Sequence, residues 1–206
     1  MIDLRSWSAF WQELGARDGG DDLHRRLVAC WSEKHRYYHT LQHLRECFEQ
    51  FDAARADAVR PAEIAVAIWF HDAFYEPKRD DNEERSAVWA RQAASDAGIA
   101  QATAQRLYDM VLATKHEAMP DDPDTRVLVD IDLSILGAPD ERFDESDVQV
   151  RREYAHVPEA DWKIGRKRVL KGFLDRPRLY GTERFYGSLE VQARKNLQRA
   201  LDRLGD

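Results

Sequence analysis

The chain has 206 residues, of which 43% are hydrophobic and 33% charged, and its formal net charge is −7. That length suits one large domain with a core of its own, so neither a disulfide nor a metal is needed merely to fold. The acidic balance, with no block of basic residues, argues against nucleic-acid backbone binding as the main activity. No apolar run approaches the roughly 20 residues that span a bilayer.

Taken in chain order, the pattern is helical almost throughout. The N-terminal "MIDLRSWSAFWQELG" carries acids and tryptophans in place of a basic-then-apolar signal pattern, which sets the expectation of a cytoplasmic protein. Apolar residues then recur at three- and four-residue intervals in "DLHRRLVACWSEKH", "TLQHLRECFEQF", "PAEIAVAIWFHDAF", "NEERSAVWARQAASDAG" and "AQATAQRLYDMVLATKH". Pro61 suits a first helical turn, Asp81 or Asn82 an N-cap, and Gly98 a helix end. "RVLVDIDLSIL" alternates well enough for a strand, but no second strand exists to pair with it, so it reads as a buried helix. Helical periodicity resumes in "ESDVQVRREYAHV", "EADWKIGRKRVLKGFLDR" and "TERFYGSLEVQARKNLQRALDRL". Loops fall at 17–21, 77–82, 119–124 and 137–144, all short, and the expectation is a single all-α domain over 1–206. Cys30 and Cys47 sit in amphipathic helical segments without a Cys-x-x-Cys pairing and read as reduced thiols.

Seven histidines occur, and five of them fall between positions 35 and 116. In "RYYHTLQH", His39 and His43 are four apart, which on a helix places them on one face. In "AIWFHDAF" an apolar run ends in His71 and Asp72, and in "LVDIDLSIL" Asp130 and Asp132 stand among apolar residues. Burying these groups without partners costs several kcal/mol, on the order of 2–7 each. One shared cation satisfies them together, since imidazole and carboxylate ligands suit Zn²⁺, Mn²⁺, Fe²⁺ or Ni²⁺. On a helix Asp130 and Asp132 point about 200° apart, so they have different partners.

The ordered set His43, His71-Asp72 and Asp132 resembles the HD-domain superfamily of metal-dependent phosphohydrolases, over about residues 35–140. The resemblance implies an HD-domain-like helical bundle, with additional C-terminal helices over about 141–206. It also implies a divalent metal ion (Zn, Mn, Fe, Ni, Co or Mg) held by His43, His71, Asp72 and Asp132. The activity it implies is hydrolysis of a phosphorylated small molecule, a nucleotide first among the candidates, by metal-activated water. "YHTLQH" also resembles the tyrosine-histidine-asparagine-x-x-histidine motif of cyclic-nucleotide phosphodiesterases. That motif would make His39 the acid that protonates the leaving group and His43 a ligand. Thr40 stands where it has asparagine, which argues against a specifically cyclic-nucleotide substrate. His116 is the one histidine between the doublet and Asp132, where a full dinuclear site in this superfamily would want two. One tightly held metal is therefore expected, and a di-iron oxygenase of HD type is disfavoured. A metal-containing nucleotide-sensing module without turnover is the other alternative.

Further residues complete the expected site. His116 can contact substrate or orient a ligand, can itself ligate, or can be structural. Asp130 is left to orient a histidine or to pair with a helix cation. Glu83, in "DNEERSA", can activate or orient water, or can simply be a first-turn acid favoured by the helix dipole; Glu76 is its rival. In "WKIGRKRVLKGFLDRPR", seven basic residues lie between Lys163 and Arg178. Most suit a solvated face, while Lys163, Lys167 or Arg178 could neutralise a substrate phosphate.

Overall fold

A computed structural model describes residues 2–205. These form ten α-helices: α1 (Leu4–Glu13), α2 (Asp21–Cys30), α3 (Leu41–Ala54), α4 (Pro61–Phe70), α5 (Asn82–Asp96), α6 (Gln101–Leu112), α7 (Pro123–Asp132), α8 (Asp140–Glu153), α9 (Glu159–Leu174) and α10 (Glu183–Leu204). No strand occurs among the described residues, and the fold is all-α. No helix is long and apolar enough to cross a membrane.

The fold is organised around α4. Its residues from Ala62 to Phe70 are all buried, and only Glu63 among them is charged. A helix apolar on every side must be surrounded, and α1, α3, α5, α6 and α7 all pack against it. Each buried Val, Ile or Phe of that helix contributes roughly 1.5–3 kcal/mol relative to exposure. Trp7, Trp31, Phe48 and Phe51 extend this core, and the Trp31 indole N–H donates to the Trp69 carbonyl at 3.0 Å. Pro61 occupies the first turn of α4, and Gly98 follows α5 with a φ of +80°, a conformation that favours glycine.

"RVLVDIDLSIL" is helical, as α7 followed by a 3-10 turn over Leu133–Gly137. Its burial leaves no other course, because a lone strand would strand its backbone polar groups in the core. The C-terminal helices lie against this region: α10 packs on the 3-10 turn, on α8 and on α9.

The sequence expectation fails around "WSEKHRYYHT". α2 stops at Cys30 and turns fill the segment up to Thr40. Thr40 is extended (φ −119°, ψ −179°), and its hydroxyl accepts from Gln42 N, so α3 begins only at Leu41. His39 therefore lies outside the helix and does not share a helical face with His43. N-capping by Thr40 outweighs the apolar periodicity that runs across it. The loop expected over 137–144 is also shorter, because α8 starts at Asp140.

Candidate functional site

Three helix ends meet at one point. His43 lies in the first turn of α3, His71 follows the last residue of α4 and is trailed by Asp72, and Asp132 is the last residue of α7. His43 Nε2 is 3.2 Å from His71 Nε2 and 3.2 Å from Asp132 Oδ1. His71 Nε2 is 3.1 Å from Asp72 Oδ2 and 3.6 Å from Asp132 Oδ1, and His43 Nε2 is 3.9 Å from Asp72 Oδ2. For bonds of about 2.1 Å, neighbouring ligand atoms stand ~3.0 Å apart in an octahedron and ~3.4 Å apart in a tetrahedron, so the separations among His43, His71 and Asp132 fit a cation between them, while Asp72 lies nearer His71 than His43.

His71 Nδ1 lies 2.7 Å from the Ile68 carbonyl, an acceptor that places a proton on Nδ1 and turns Nε2 toward the group. Burial disfavours the His71 imidazolium, but Asp72 and Asp132 raise its pKa well above the usual range, and a cation at Nε2 would take that proton's place. Burial works against the charge of Asp132, but hydrogen bonds to His116, His43 and His71 hold its carboxyl well below the usual range. Asp72 is lowered as well: burial is outweighed by the neighbouring His71 and His39. Both are thus carboxylates, as ligands must be. The C-terminal ends of α4 and α7 carry these residues, and their macrodipoles also favour positive charge there.

Cys47, one turn beyond His43 on α3, joins the group. Its Sγ is 3.6 Å from His43 Nε2, and the donor atoms of His43, Cys47, His71 and Asp132 all lie within 4.8 Å of one another. This is a group able to hold a metal ion. Cys30 and Cys47 are both free.

Around the group lies a second set of contacts. His116 Nε2 is 2.8 Å from Asp132 Oδ2, the oxygen turned away from His43. His116 adopts a left-handed conformation (φ +57°), and its carbonyl accepts from the Arg176 guanidinium. His39 Nε2 is 4.0 Å from Asp72 Oδ2, while its Nδ1 is 2.8 Å from Glu153 Oε2. Burial disfavours the imidazolium of His39, yet the charge of Asp72 and the bond to Glu153 raise its pKa overall. The His39 ring also stacks on Tyr75, with centroids 4.0 Å apart.

Glu153, Arg36 and Cys47 escaped the sequence reading. The Glu153 side chain is fully buried, and Oε1 accepts the backbone N–H groups of Tyr37, Tyr38 and His39 at 2.7, 2.8 and 3.0 Å. The Tyr75 hydroxyl donates to Oε2 at 2.9 Å. Burial opposes ionisation of Glu153, but His39 and these N–H donors hold its carboxyl down at about 2. Arg36, also buried, donates to the carbonyls of Asp72 (2.7 Å), Ala73 (3.0 Å) and His39 (3.3 Å), which ties the His39 turn to the His71-Asp72 turn. A faint signal for Glu153 did exist: it continues the Phe143, Ser146, Val150 stripe of α8, where an acid needs a partner.

The remaining expected residues divide. Glu83 is half-buried on α5 and borders the same chamber as His39 and Asp132; burial raises its carboxyl pKa. Glu76 is exposed and does not border it. Asp130 orients no histidine and pairs with no cation: its carboxylate accepts from Gly181 N, Thr182 N and Thr182 Oγ1 at 2.7–2.8 Å, anchoring the start of α10. Lys163 and Lys167 do not reach the chamber, because α9 turns Trp162, Arg166, Val169 and Phe173 toward it and these lysines fall on another face. Arg178 pairs with Glu183 at 2.9 Å and lies over the Tyr186 ring. Compared with protein-family models, curated proteins and solved structures, the chain has no match.

Proposed function

We propose that the chain is an HD-type metal-dependent phosphohydrolase acting on a phosphate ester of a small molecule, with nucleotides the first class to screen. The observation that carries this reading is the placement of His39. Its Nε2 stands 4.0 Å from Asp72 on the chamber floor, and a fully buried carboxylate braces its other nitrogen. A group that merely held a metal would not need a braced imidazole beside it.

A divalent cation held by His43, His71, Asp72 and Asp132 would supply Lewis acidity toward a phosphoryl oxygen and an acidified water. The protein's own groups do the rest. His116 holds Asp132 from behind, through the oxygen that His43 does not face. Glu83, on the chamber wall, accepts a proton from or orients the attacking water. His39 gives its Nε2 proton to the departing ester oxygen as the P–O bond breaks, and the water oxygen takes that place on phosphorus. The products are an alcohol and phosphate, with no redox change. Glu153 stabilises the imidazolium and fixes the ring, and proton donation of this kind contributes typically 10²–10⁴ in rate.

The test is phosphate release by purified protein from nucleotides and sugar phosphates, run with Mn²⁺, Mg²⁺, Co²⁺, Ni²⁺ and Zn²⁺ separately. Turnover that depends on metal and on His39 is the expected result. Metal-dependent nucleotide binding without turnover would instead favour a sensing module, to which Cys47 lends support because a further protein donor would take a position that water or substrate otherwise needs. Two bound irons with oxygen consumption would favour an oxygenase.

A further inference from the structure

The chamber above the donor group has a volume of about 530 Å³, within the usual range for small-molecule sites. Its polar groups are concentrated at the floor, where His39, Asp72, His116 and Asp132 lie. Much of its wall is carbon: Leu133 and Ile135 from the turn after α7, Phe143 and Val150 from α8, and Val169 and Phe173 from α9. Two of the hydroxyls at the wall are already engaged: Ser146 Oγ donates to the Phe143 carbonyl (2.6 Å) and Thr114 Oγ1 to the Val111 carbonyl (2.7 Å).

The only guanidinium bordering the chamber, that of Arg166, is held by Asp147 at 2.8 and 3.1 Å. Lys115, Arg168 and Arg176 line a depression that adjoins the chamber, sharing Glu83, Thr114, His116, Val169 and Phe173 with it. Glu83 and Asp161 add negative charge to the chamber itself. Among the buried side-chain polar atoms that have no partner in the described residues are the Tyr38 hydroxyl and His116 Nδ1; both residues border the chamber, but these atoms themselves are closed off from it.

We infer that the chamber takes an ester bearing a phosphoryl group on an apolar body, aromatic or branched hydrocarbon, in preference to a sugar phosphate. This rests on the hydrolytic reading above and narrows its substrate. The phosphoryl group lies at the floor, beside His39 and the candidate ligands Asp72 and Asp132, and the body is held by contact with the α8 and α9 walls.

The test uses the full-length, metal-loaded protein. 2-Phenylethyl phosphate and glycerol 3-phosphate both release an alkoxide, so they differ mainly in the body. The expected result is a kcat/KM at least about tenfold higher for the former, carried by KM, the scale of burying a phenyl group. Calorimetry with the non-hydrolysable 2-phenylethylphosphonate gives a readout independent of turnover. Trp162→Ala and Val150→Asp should each weaken its binding about tenfold or more, with metal content unchanged; Trp162 is half-buried, so its variant tests the wall even if Val150→Asp fails to fold. Equal or better use of glycerol 3-phosphate, or phosphonate binding indifferent to both variants, overturns the inference while leaving the hydrolase reading standing. Metal-dependent phosphonate binding without hydrolysis of any ester does the reverse.

Discussion

Glu153 and His39 are 114 residues apart in the chain and 2.8 Å apart in the structure. The same carboxylate also collects three consecutive backbone N–H groups of the turn that carries His39. One residue of α8 thus shapes the turn and fixes the ring on it, so its loss should have two separable effects.

Glu153→Gln keeps the size of the side chain and removes its charge. The expected outcome is near-normal metal content with kcat reduced roughly 10-fold to 100-fold, because His39 loses the partner that holds its protonated form. The effect should shrink with p-nitrophenyl phosphate, whose leaving oxygen needs little protonation. Equal losses for poor and good leaving groups would make the pair a positioning device only. Glu153→Ala, which strands buried donors, should in addition cost about 1–3 kcal/mol in urea unfolding.

The acid stability of the protein follows from the same carboxyl. Its folded-state pKa is depressed to about 2, against about 4.3 for an unfolded glutamate. A depressed carboxyl stabilises the fold above its unfolded pKa, and that contribution is lost as pH falls toward the folded value. The wild type should therefore lose on the order of 3 kcal/mol from this group between about pH 4.5 and 2. Glu153→Gln should show a correspondingly shallower acid slope in pH-dependent unfolding. Identical slopes in the two proteins would remove Glu153 from the acid transition.

Metal analysis separates two ways of using the donor group. With His43, His71, Asp72 and Asp132 as ligands, protein purified without chelator should carry about one equivalent per chain. His71→Ala and Asp72→Ala should lose it, and Cys47→Ala should retain it. The opposite pattern, with the metal lost in Cys47→Ala and kept in Asp72→Ala, would assign the site to His43, Cys47, His71 and Asp132. Chelation should lower the Tm of the wild type and not that of His71→Ala, since a ligand that binds only the folded state stabilises it by mass action.

Asp130 supplies a control that has the right residue type beside the site and a different role. Because it caps the entry to α10, Asp130→Ala should destabilise the protein by about 1–3 kcal/mol and leave metal content intact. Loss of metal without loss of stability would mean that Asp130, and not Asp132, faces the cation.

The helices and three members of the donor group, His43, His71 and Asp132, are legible in the amino-acid order because both are local signals, whereas Cys47 reads there only as a buried thiol. The apolar run from Ile64 to Phe70 required a surrounded helix, and the polar His71 and Asp72 at its end required a partner. The position of His39 was misread for a physical reason: apolar periodicity continues across Thr40, whereas the backbone there is extended and capped. What only the tertiary structure decided depends on contacts between distant segments. Glu153 reaches the His39 turn across 114 residues, Arg36 ties that turn to the carbonyls of Asp72 and Ala73, and Asp130 is drawn away to Gly181 and Thr182. Charge and spacing leave the lysines of α9 open to either a solvated face or the site; helix rotation turns Trp162, Val169 and Phe173 to the chamber instead. Residue types and spacing along one helix can announce a ligand; the partner that orients it is set by how the helices pack, and no local pattern encodes that.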